Sequence, residues 1–550
     1  MYDGDQVPFV RPVTWYSVSW LESSAVPSRV LSVSGPGDGV NLLGDVMVAE
    51  RRLSGEALRV DAERVVSGLT HLGVVPGDAV ALLLRNDAAL LAATLAVSHL
   101  GAYPVQLNWH ATGNELAYIL ADCQARVLIA HADLLQDLDE LVPPGLVIIG
   151  VPTPVAIARA YRIPDARRAV PGGTLEWTSW LGAYGPSNRP PVPSGGSIVY
   201  TSGTSGRPKG VRRLAPTPEQ AIASDEMRRV VFGVDSGARV LVPAPLYHIS
   251  PNIFALRGLR CGELLVLPAR FDPEGLLRDI ERYRITHLYA VATMFVRLLR
   301  LPPETRDRYD TSSLAFVLHG AGPCPPAVKR AMIAWWGPIL EEYYGATELG
   351  PITACSSPEW LTRPGTVGRA VSGVEIAILD EQGSALPSGQ IGEICVANPT
   401  YPDFTYLNRE AERQALQRGA QLASGDLGYF DGDGYLFVCD RKRDLVISAG
   451  VNIYPEEIES VLIEFAGVAD CAVFGIPHEE FGEELMAVVQ PVDGHALDAE
   501  QIRAFLGARL ASFKVPRTIQ FQHELPREES GKLKKRTLRD PYWAKAGRAI

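Results

Sequence analysis

Between residues 62 and 130 the chain switches repeatedly between two hydrophobic periods, and that alternation narrows the folds open to it. Ala62, Val65, Val66, Leu69 and Leu72 recur at helical spacing, and residues 79–84 follow as an unbroken apolar run. Asp87 predicts the N-cap of a helix running to Leu100, with Gly101 as its stop before an extended segment at residues 102–105. Similar apolar runs lie at 127–129, 264–267 and 314–318. Strands apolar on both faces and separated by helices predict an α/β chain with layered, largely parallel sheets.

Length and composition agree with a large globular protein. A chain of 550 residues exceeds what one core usually supports, about 250 to 300 residues, so several subdomains are expected. With 47% hydrophobic and 21% charged residues the chain is ordered and globular. A net charge of −11 argues against nucleic acid as a partner. No run of about 18 apolar residues predicts a membrane span. The start Met1-Tyr2-Asp3-Gly4-Asp5 lacks the basic and apolar regions of a signal peptide. The 7 cysteines are scattered without a C-x-x-C pair and read as reduced, mostly buried residues. A cytoplasmic location is the expectation.

The chemistry begins after Ser197-Ile198-Val199, where the chain reads Tyr200-Thr201-Ser202-Gly203-Thr204-Ser205-Gly206-Arg207-Pro208-Lys209-Gly210. Glycines let backbone N–H groups turn toward an anion, hydroxyls add donors, and Lys209 supplies a mobile positive charge. A Walker loop is excluded by the spacing, and composition alone suits a flexible surface loop equally well. A Pro-rich stretch at 186–194 would deliver this segment. Downstream, in order, come Pro245-Leu246-Tyr247-His248-Ile249, Tyr343-Tyr344-Gly345-Ala346-Thr347-Glu348, Ser424-Gly425-Asp426, Asp440-Arg441-Lys442-Arg443-Asp444 and Ser530-Gly531-Lys532.

This ordered set resembles the adenylate-forming superfamily of acyl-CoA synthetases, peptide-synthetase adenylation domains and luciferases, over about residues 40–540. The resemblance implies a two-step reaction. A carboxylate attacks the α-phosphate of ATP to give an acyl adenylate and pyrophosphate, and a nucleophile then takes the acyl group. It implies a large N-terminal domain, 1–442, and a small mobile α+β lid, 443–550, with the hinge at Arg443. The residues beyond the hinge agree: Pro455-Glu456-Glu457-Ile458 suits a first helical turn, with Ile458, Val461, Leu462 and Phe465 as its buried face. Apolar runs at 471–474 and 485–489 suit strands, and Ile502, Phe505, Leu506 and Leu510 a second helix.

Site roles follow from the same resemblance. Thr201, Ser202, Gly203, Thr204, Ser205, Gly206 and Lys209 would hold the β and γ phosphates, Glu348 with Thr201 would hold Mg²⁺, and Thr347 would touch the α-phosphate. Lys532 would reach in from the lid, although the following Lys534, Lys535 and Arg536 also suit a solvated basic tail. Asp426 would accept both ribose hydroxyls and Arg441 would donate to the same ribose. Tyr344 would face the adenine, with Gly320, Ala321 and Gly322 on its other side. Each has a bland counterpart: Asp426 a turn residue, Tyr344 a core aromatic.

His248 matches the residue that orients the carboxylate and gates the acceptor channel. It is a positioning group rather than a base, because the acid is already ionised at neutral pH. Ile249 stands where amino-acid-activating domains carry an Asp, which disfavours an α-amino acid as acyl donor. Asn252, Phe254, residues 317–322 (Gly320 among them) and 343–346 (Tyr343 and Gly345 among them) would line an apolar pocket for a hydrophobic or cyclic acid. Gly450 matches the glycine that lets a pantetheine arm pass, and Arg443 replaces the usual hinge Asp or Lys.

Coenzyme A is the leading acceptor. An amine is the alternative, from a similarity to amide-forming coronafacate ligase at Val151-Pro152-Thr153-Pro154 and Lys209-Gly210-Val211-Arg212-Arg213, and a carrier protein is third. A non-catalytic adenylate-binding protein would not need Lys532, Glu348 and Asp426 together. Oligomeric state is left open, a homodimer included.

Overall fold

A computed structural model describes residues 43–111, 113–138, 142–201, 208–442, 444–448, 451–478, 481–527 and 533–545. The alternation at 62–130 is realised as helix Gly55–His71, strand Ala79–Leu83, helix Ala88–His99, strand Tyr103–Gln106, helix Gly113–Asp122 and strand Val127–His131. Asp87 caps the second helix by accepting from the Ala88 N–H, and Gly101 stops it with φ +70, a conformation that favours glycine. The strands of this unit are buried on both faces and pair in parallel, with Val147–Val151 and Leu175–Glu176 extending the sheet.

A second sheet runs, edge to edge among the described residues, through Arg369–Ala370, Gly350–Cys355, Leu340–Ala346, Phe316–His319, His287–Ala290, Arg239–Leu241, Leu264–Leu267, Asp45–Val48 and Arg51–Leu53. Its centre is parallel and its edges antiparallel. The helices Pro218–Phe232 and Ile249–Cys261 belong to this layer, and Phe232 meets Phe254 edge-on, with ring centroids 6.3 Å apart. The 186–194 connector carries no regular structure and leads to strand Val199–Thr201. That strand pairs antiparallel with Lys209–Arg213, and Thr201 stands opposite Lys209. The two ends of the glycine-rich segment are therefore fixed by sheet pairing. Ser202, Gly203, Thr204, Ser205 and Gly206, like Arg443, Gly450 and Lys532, lie outside the described residues.

Strand pairing changes partners around residue 443. Leu436–Arg441 pairs with Gln421–Phe430 of the large domain, whereas Val446–Ser448 pairs with Gly482–Pro491 of a small sheet completed by Val468–His478, Val451–Ile453 and Thr518–Phe521. Helices Pro455–Leu462 and Ala499–Gly507 pack on that sheet through Ile458, Leu462, Ile502 and Leu506, all fully buried. The chain is thus mixed α/β, with parallel sheets in a large N-terminal domain and a small α+β C-terminal domain. Among the described residues no helix is long and apolar enough to cross a membrane. The cysteines form no disulfide, and Cys123, Cys355, Cys395 and Cys471 are buried.

The basic run after Lys532 is not a solvated tail. Residues Lys535–Lys545 form a helix whose Lys535 turns inward to Glu459 at 2.8 Å and whose Arg539 reaches Asp444 at 3.4 Å. Leu538 and Tyr542 pack on the face of the small sheet carrying Phe474 and Met486, and Trp543 donates to the Gly475 carbonyl at 3.0 Å.

Candidate active site

One cavity of about 1520 Å³ lies against Thr201, Lys209, His248, Ile249, Asn252 and Ala321, and equally against Tyr343, Gly345, Thr347, Glu348, Asp426 and Arg441. Residues separated by up to 240 positions thus meet at one opening, and their local structure explains how. Strand Leu340–Ala346 carries an irregularity between Tyr344 and Gly345. This ends regular pairing and lets residues 347–349 turn into the cavity. A Cβ on Gly345 would come within 2.5 Å of the Gly350 carbonyl oxygen, so the turn needs glycine there.

Arg213 braces that turn, and sequence reasoning gave it no role. Its Nη2 donates to the Thr347 and Glu348 carbonyls at 2.6 and 2.8 Å, and its Nη1 to the Pro402 carbonyl at 2.9 Å. Burial lowers its pKa from the ordinary guanidinium value, with Tyr401 and Glu348 opposing. Glu348 itself accepts from the Tyr406 hydroxyl at 2.9 Å. Lys209 lies 5.1 Å above the Tyr406 ring and forms an ion pair with Glu412. Lys209 and Glu348, the lysine expected at the phosphates and the carboxylate expected at the metal, are thus linked through one tyrosine. Tyr406 and Glu412 carry no motif of their own, and only strand pairing of Phe404–Tyr406 with Lys209–Arg213 brings them here.

Asp426 and Arg441 are cross-strand partners, with Nε and Oδ1 3.9 Å apart. Gly425, at φ +83 and with nothing within 4 Å of a built Cβ, lies at the register irregularity of strand Gln421–Phe430 that presents Asp426, whose N–H donates to Ser424 Oγ at 3.1 Å. Tyr344 donates its hydroxyl to Asp426 Oδ2 at 2.6 Å. Burial, and then the Asp426 charge, raise the tyrosine pKa well above its usual value. A carboxylate has about four acceptor sites, so this bond does not saturate Asp426. Of the Gly320-Ala321-Gly322 segment only Ala321 borders the cavity, in a left-handed conformation at φ +67. Gly320 is held against Tyr343, whose ring would lie 2.8 Å from a Cβ there.

His248 is the N-cap of helix Ile249–Cys261, and its ring lies 4.2 Å from that of Tyr247. The loop before it is pinned from two sides: the Leu246 N–H donates to Asn86 Oδ1 at 2.9 Å, and Asn252 Nδ2 donates to the Leu246 carbonyl at 2.9 Å. Phe254 does not reach the cavity, being fully buried against Phe232 and Tyr289. Tyr343 donates to Ser250, and burial pushes its pKa up to about 12. The acyl side also departs from the apolar lining expected, because Arg228, Arg257 and Arg260 border it.

This donor set fits a magnesium nucleotide: carboxylates at Glu348 and Asp426, hydroxyls at Thr201 and Thr347 and a cation at Lys209 all face one space. The comparisons with known proteins agree on the nucleotide. A model of the AMP-binding enzyme family matches residues 38–401, and one of the AMP-binding enzyme C-terminal domain matches 457–532. The chain belongs to the AMP-binding enzyme family. It is 32% identical over 497 residues to an indoleacetate–CoA ligase of Aromatoleum aromaticum, covering 89% of this chain and 93% of that one. It is 33% identical over 494 residues to a feruloyl-CoA synthase of an Amycolatopsis species, covering 86% and 91%. Among solved structures, the amide bond synthetase McbA of Marinactinospora thermotolerans superposes with a TM-score of 0.77 at 28% identity, covering 91% of this chain and 97% of that one.

Proposed function

We propose that this family member activates a carboxylic acid with ATP and transfers the acyl group to coenzyme A. The observation that carries the reading is the convergence of Thr201, Lys209, His248, Thr347, Glu348, Asp426 and Arg441 on one cavity. Attack of a carboxylate on ATP brings two anions together, so the site must offset charge on the phosphates and on the transition state. Lys209 offers that charge on the β and γ phosphates, with the backbone and hydroxyls of residues 201–206, and Thr347 offers a hydroxyl at the α-phosphate. Glu348 and Thr201 would hold magnesium, which when bound supplies further neutralisation of the phosphates. Asp426 and Arg441 would fix the ribose, Tyr344, which does not border the cavity itself, would back the adenine through its bond to Asp426, and Lys532, outside the described residues, would enter from the C-terminal domain toward the α-phosphate and acyl oxygen.

In the first step a carboxylate oxygen bonds to the α-phosphorus and pyrophosphate leaves. In the second the thiolate sulfur of coenzyme A bonds to the acyl carbon and AMP leaves. His248, at the N-cap, orients the carboxylate between these sites. The two steps need different arrangements of the C-terminal domain, a mobile lid turning about Arg443 with Gly450 beside the pantetheine arm. Ile249, Ile253, Leu256 and Phe232 border the acyl side and suit an apolar or cyclic body.

A second reading, transfer to an amine, is favoured by the full-length likeness to the amide bond synthetase. Mass spectrometry of products from ATP, Mg²⁺ and a panel of acids, with coenzyme A and amines in competition, tests both. A thioester supports the ligase reading. An amide with little thioester replaces it by the second, and no pyrophosphate with any acid overturns both.

A further inference from the structure

Two helices wall the acyl side of the cavity, and each presents one face to it. Helix Ile249–Cys261 contributes Ile249, Ile253, Leu256 and Arg260, and helix Pro218–Phe232 contributes Ala221, Arg228 and Phe232. Ser250 and Asn252 beside His248 and Asp225 and Arg257 farther along border the cavity as well, and the guanidiniums gather toward the C-terminal end of helix Ile249–Cys261. The charges there are unevenly matched. Arg257 is satisfied: Nε donates to the Val234 carbonyl at 2.9 Å, and the guanidinium pairs with Asp225 at 3.1 Å and Asp235 at 3.6 Å. Arg228 donates to the Tyr401 hydroxyl at 3.3 Å but has no carboxylate partner, and Arg260 makes no hydrogen bond or ion pair among the described residues. Asp225, the carboxylate nearest them, is already held by Arg257, and Glu63 is held by Arg59. The surrounding protein, and then the positive charge of Arg228, lower the pKa of Arg260, although its side chain is exposed.

Arg260 is exposed and Arg228 half-buried where they border the cavity, so neither guanidinium is closed off from an anion that could accept from both. We propose that Arg228 and Arg260 form a subsite for a second acidic group on the acyl substrate, at the end remote from the carboxylate that is activated. This rests on the ligase reading and narrows it from a hydrophobic acid to an elongated diacid or an acid with an equivalent distal anion. The helix supplies a ruler. From Ile249 to Arg260 the axis advances about 16 Å, and an arginine side chain leans back toward the helix N-terminus, so the two acidic groups lie about 10 to 16 Å apart. An extended chain advances about 3.3–3.6 Å for every three bonds, so the span matches a backbone of about nine to fourteen bonds. Succinate is too short to bridge it.

The test measures pyrophosphate release without coenzyme A, using succinic, octanedioic and dodecanedioic acids and the monoacids of equal length. Wild type is expected to favour dodecanedioic over dodecanoic acid by about 10- to 100-fold in kcat/KM, the size of a charge-assisted pair. That ratio should fall close to one in Arg228→Met/Arg260→Met and recover in part in the paired Lys variants. Because each ratio is taken within one variant, a loss of folded enzyme does not mimic it. Equal ratios in wild type and the Met variant overturn the subsite, as does an increased KM for coenzyme A with the diacid preference intact, which would assign the arginines to coenzyme A phosphates. Calorimetric binding of dodecanedioate without ATP separates the two readings. If no acid releases pyrophosphate the ligase reading fails, while binding that weakens at least tenfold in the Met variant upholds the anion subsite and unchanged binding overturns it.

Discussion

Tyr406 donates its hydroxyl to Glu348 Oε1 at 2.9 Å while its ring lies 5.1 Å beneath the Lys209 ammonium. One side chain therefore aims the carboxylate proposed for magnesium and supports the cation proposed for the phosphates. Burial and the Glu348 charge both raise the tyrosine pKa, so it stays a donor at any working pH.

Tyr406→Phe keeps the ring and removes only the donor. Glu348 then loses a fixed orientation, and the apparent magnesium affinity is expected to fall about 3- to 10-fold, the net value of a typical hydrogen bond. Magnesium titration of pyrophosphate release checks this. An unchanged titration curve would remove Tyr406 from the site.

Glu412 pairs with Lys209, and Lys209 in turn keeps the Glu412 carboxyl below its usual pKa. In the role proposed for Lys209, a triphosphate competes with this carboxylate for the lysine. Glu412→Gln should release it and lower the KM for ATP by about two- to fivefold, as expected for a partly exposed pair. Steady-state kinetics over an ATP series reads this directly, and a raised KM would show instead that Glu412 positions Lys209 for the phosphates.

How much of this was legible beforehand differs between elements for physical reasons. The helix stop at Gly101, the cap at Asp87 and the inward Leu462 follow from local rules, because period and capping act within a few residues. The catalytic segments could be ordered by motif, and the fold brings most of their described members to one cavity. Arg213, Tyr406 and Glu412 escaped notice because their roles arise from cross-strand register and a distant helix, which leave no local pattern. Phe254 misled because it sits beside Asn252 in sequence, yet the helical turn sends it to the opposite, buried side. Arg228 and Arg260 belong to no motif, and only the packing of two helices against one cavity brings them together. Lys535 was hidden in a basic run, although Leu538, Arg539 and Tyr542 repeat with it at helical spacing.

Glu341, on the strand that leads to Tyr344, is pushed up to about 7 by burial, with Lys329 opposing. The unfolded chain releases this proton near its ordinary value of 4.5, whereas the folded protein retains it to about 7. Its contribution to stability is therefore complete below about pH 4.5 and is lost as pH rises through about 7. Glu341→Gln keeps the neutral form at every pH. Relative to wild type it should gain on the order of 1–3 kcal/mol between pH 4.5 and 8, seen as an unfolding temperature that falls less steeply across that range. Parallel pH profiles for the two proteins would show that Glu341 ionises normally.

Lys535 lies at the meeting of the two domains among carboxylates that burial makes reluctant to ionise. It pairs with Glu459 at 2.8 Å, and the pKa values of Asp440, Glu456 and Glu459 are all raised by burial, with the Lys535 charge opposing. Asp440 also accepts from the Glu456 N–H at 3.1 Å, tying the last strand of the large domain to the first helix of the small one. Removing the cation leaves that junction with buried acids and no counter-charge. Lys535→Met is expected to cost about 3–5 kcal/mol, and hydrogen exchange should localise the loss to residues 455–478 rather than to the parallel sheets. Adding Glu459→Gln should recover part of it, because the pair is then absent rather than broken. If Lys535→Met is as stable as wild type, the carboxylates are already neutral in the folded protein and the lysine holds the junction by packing alone.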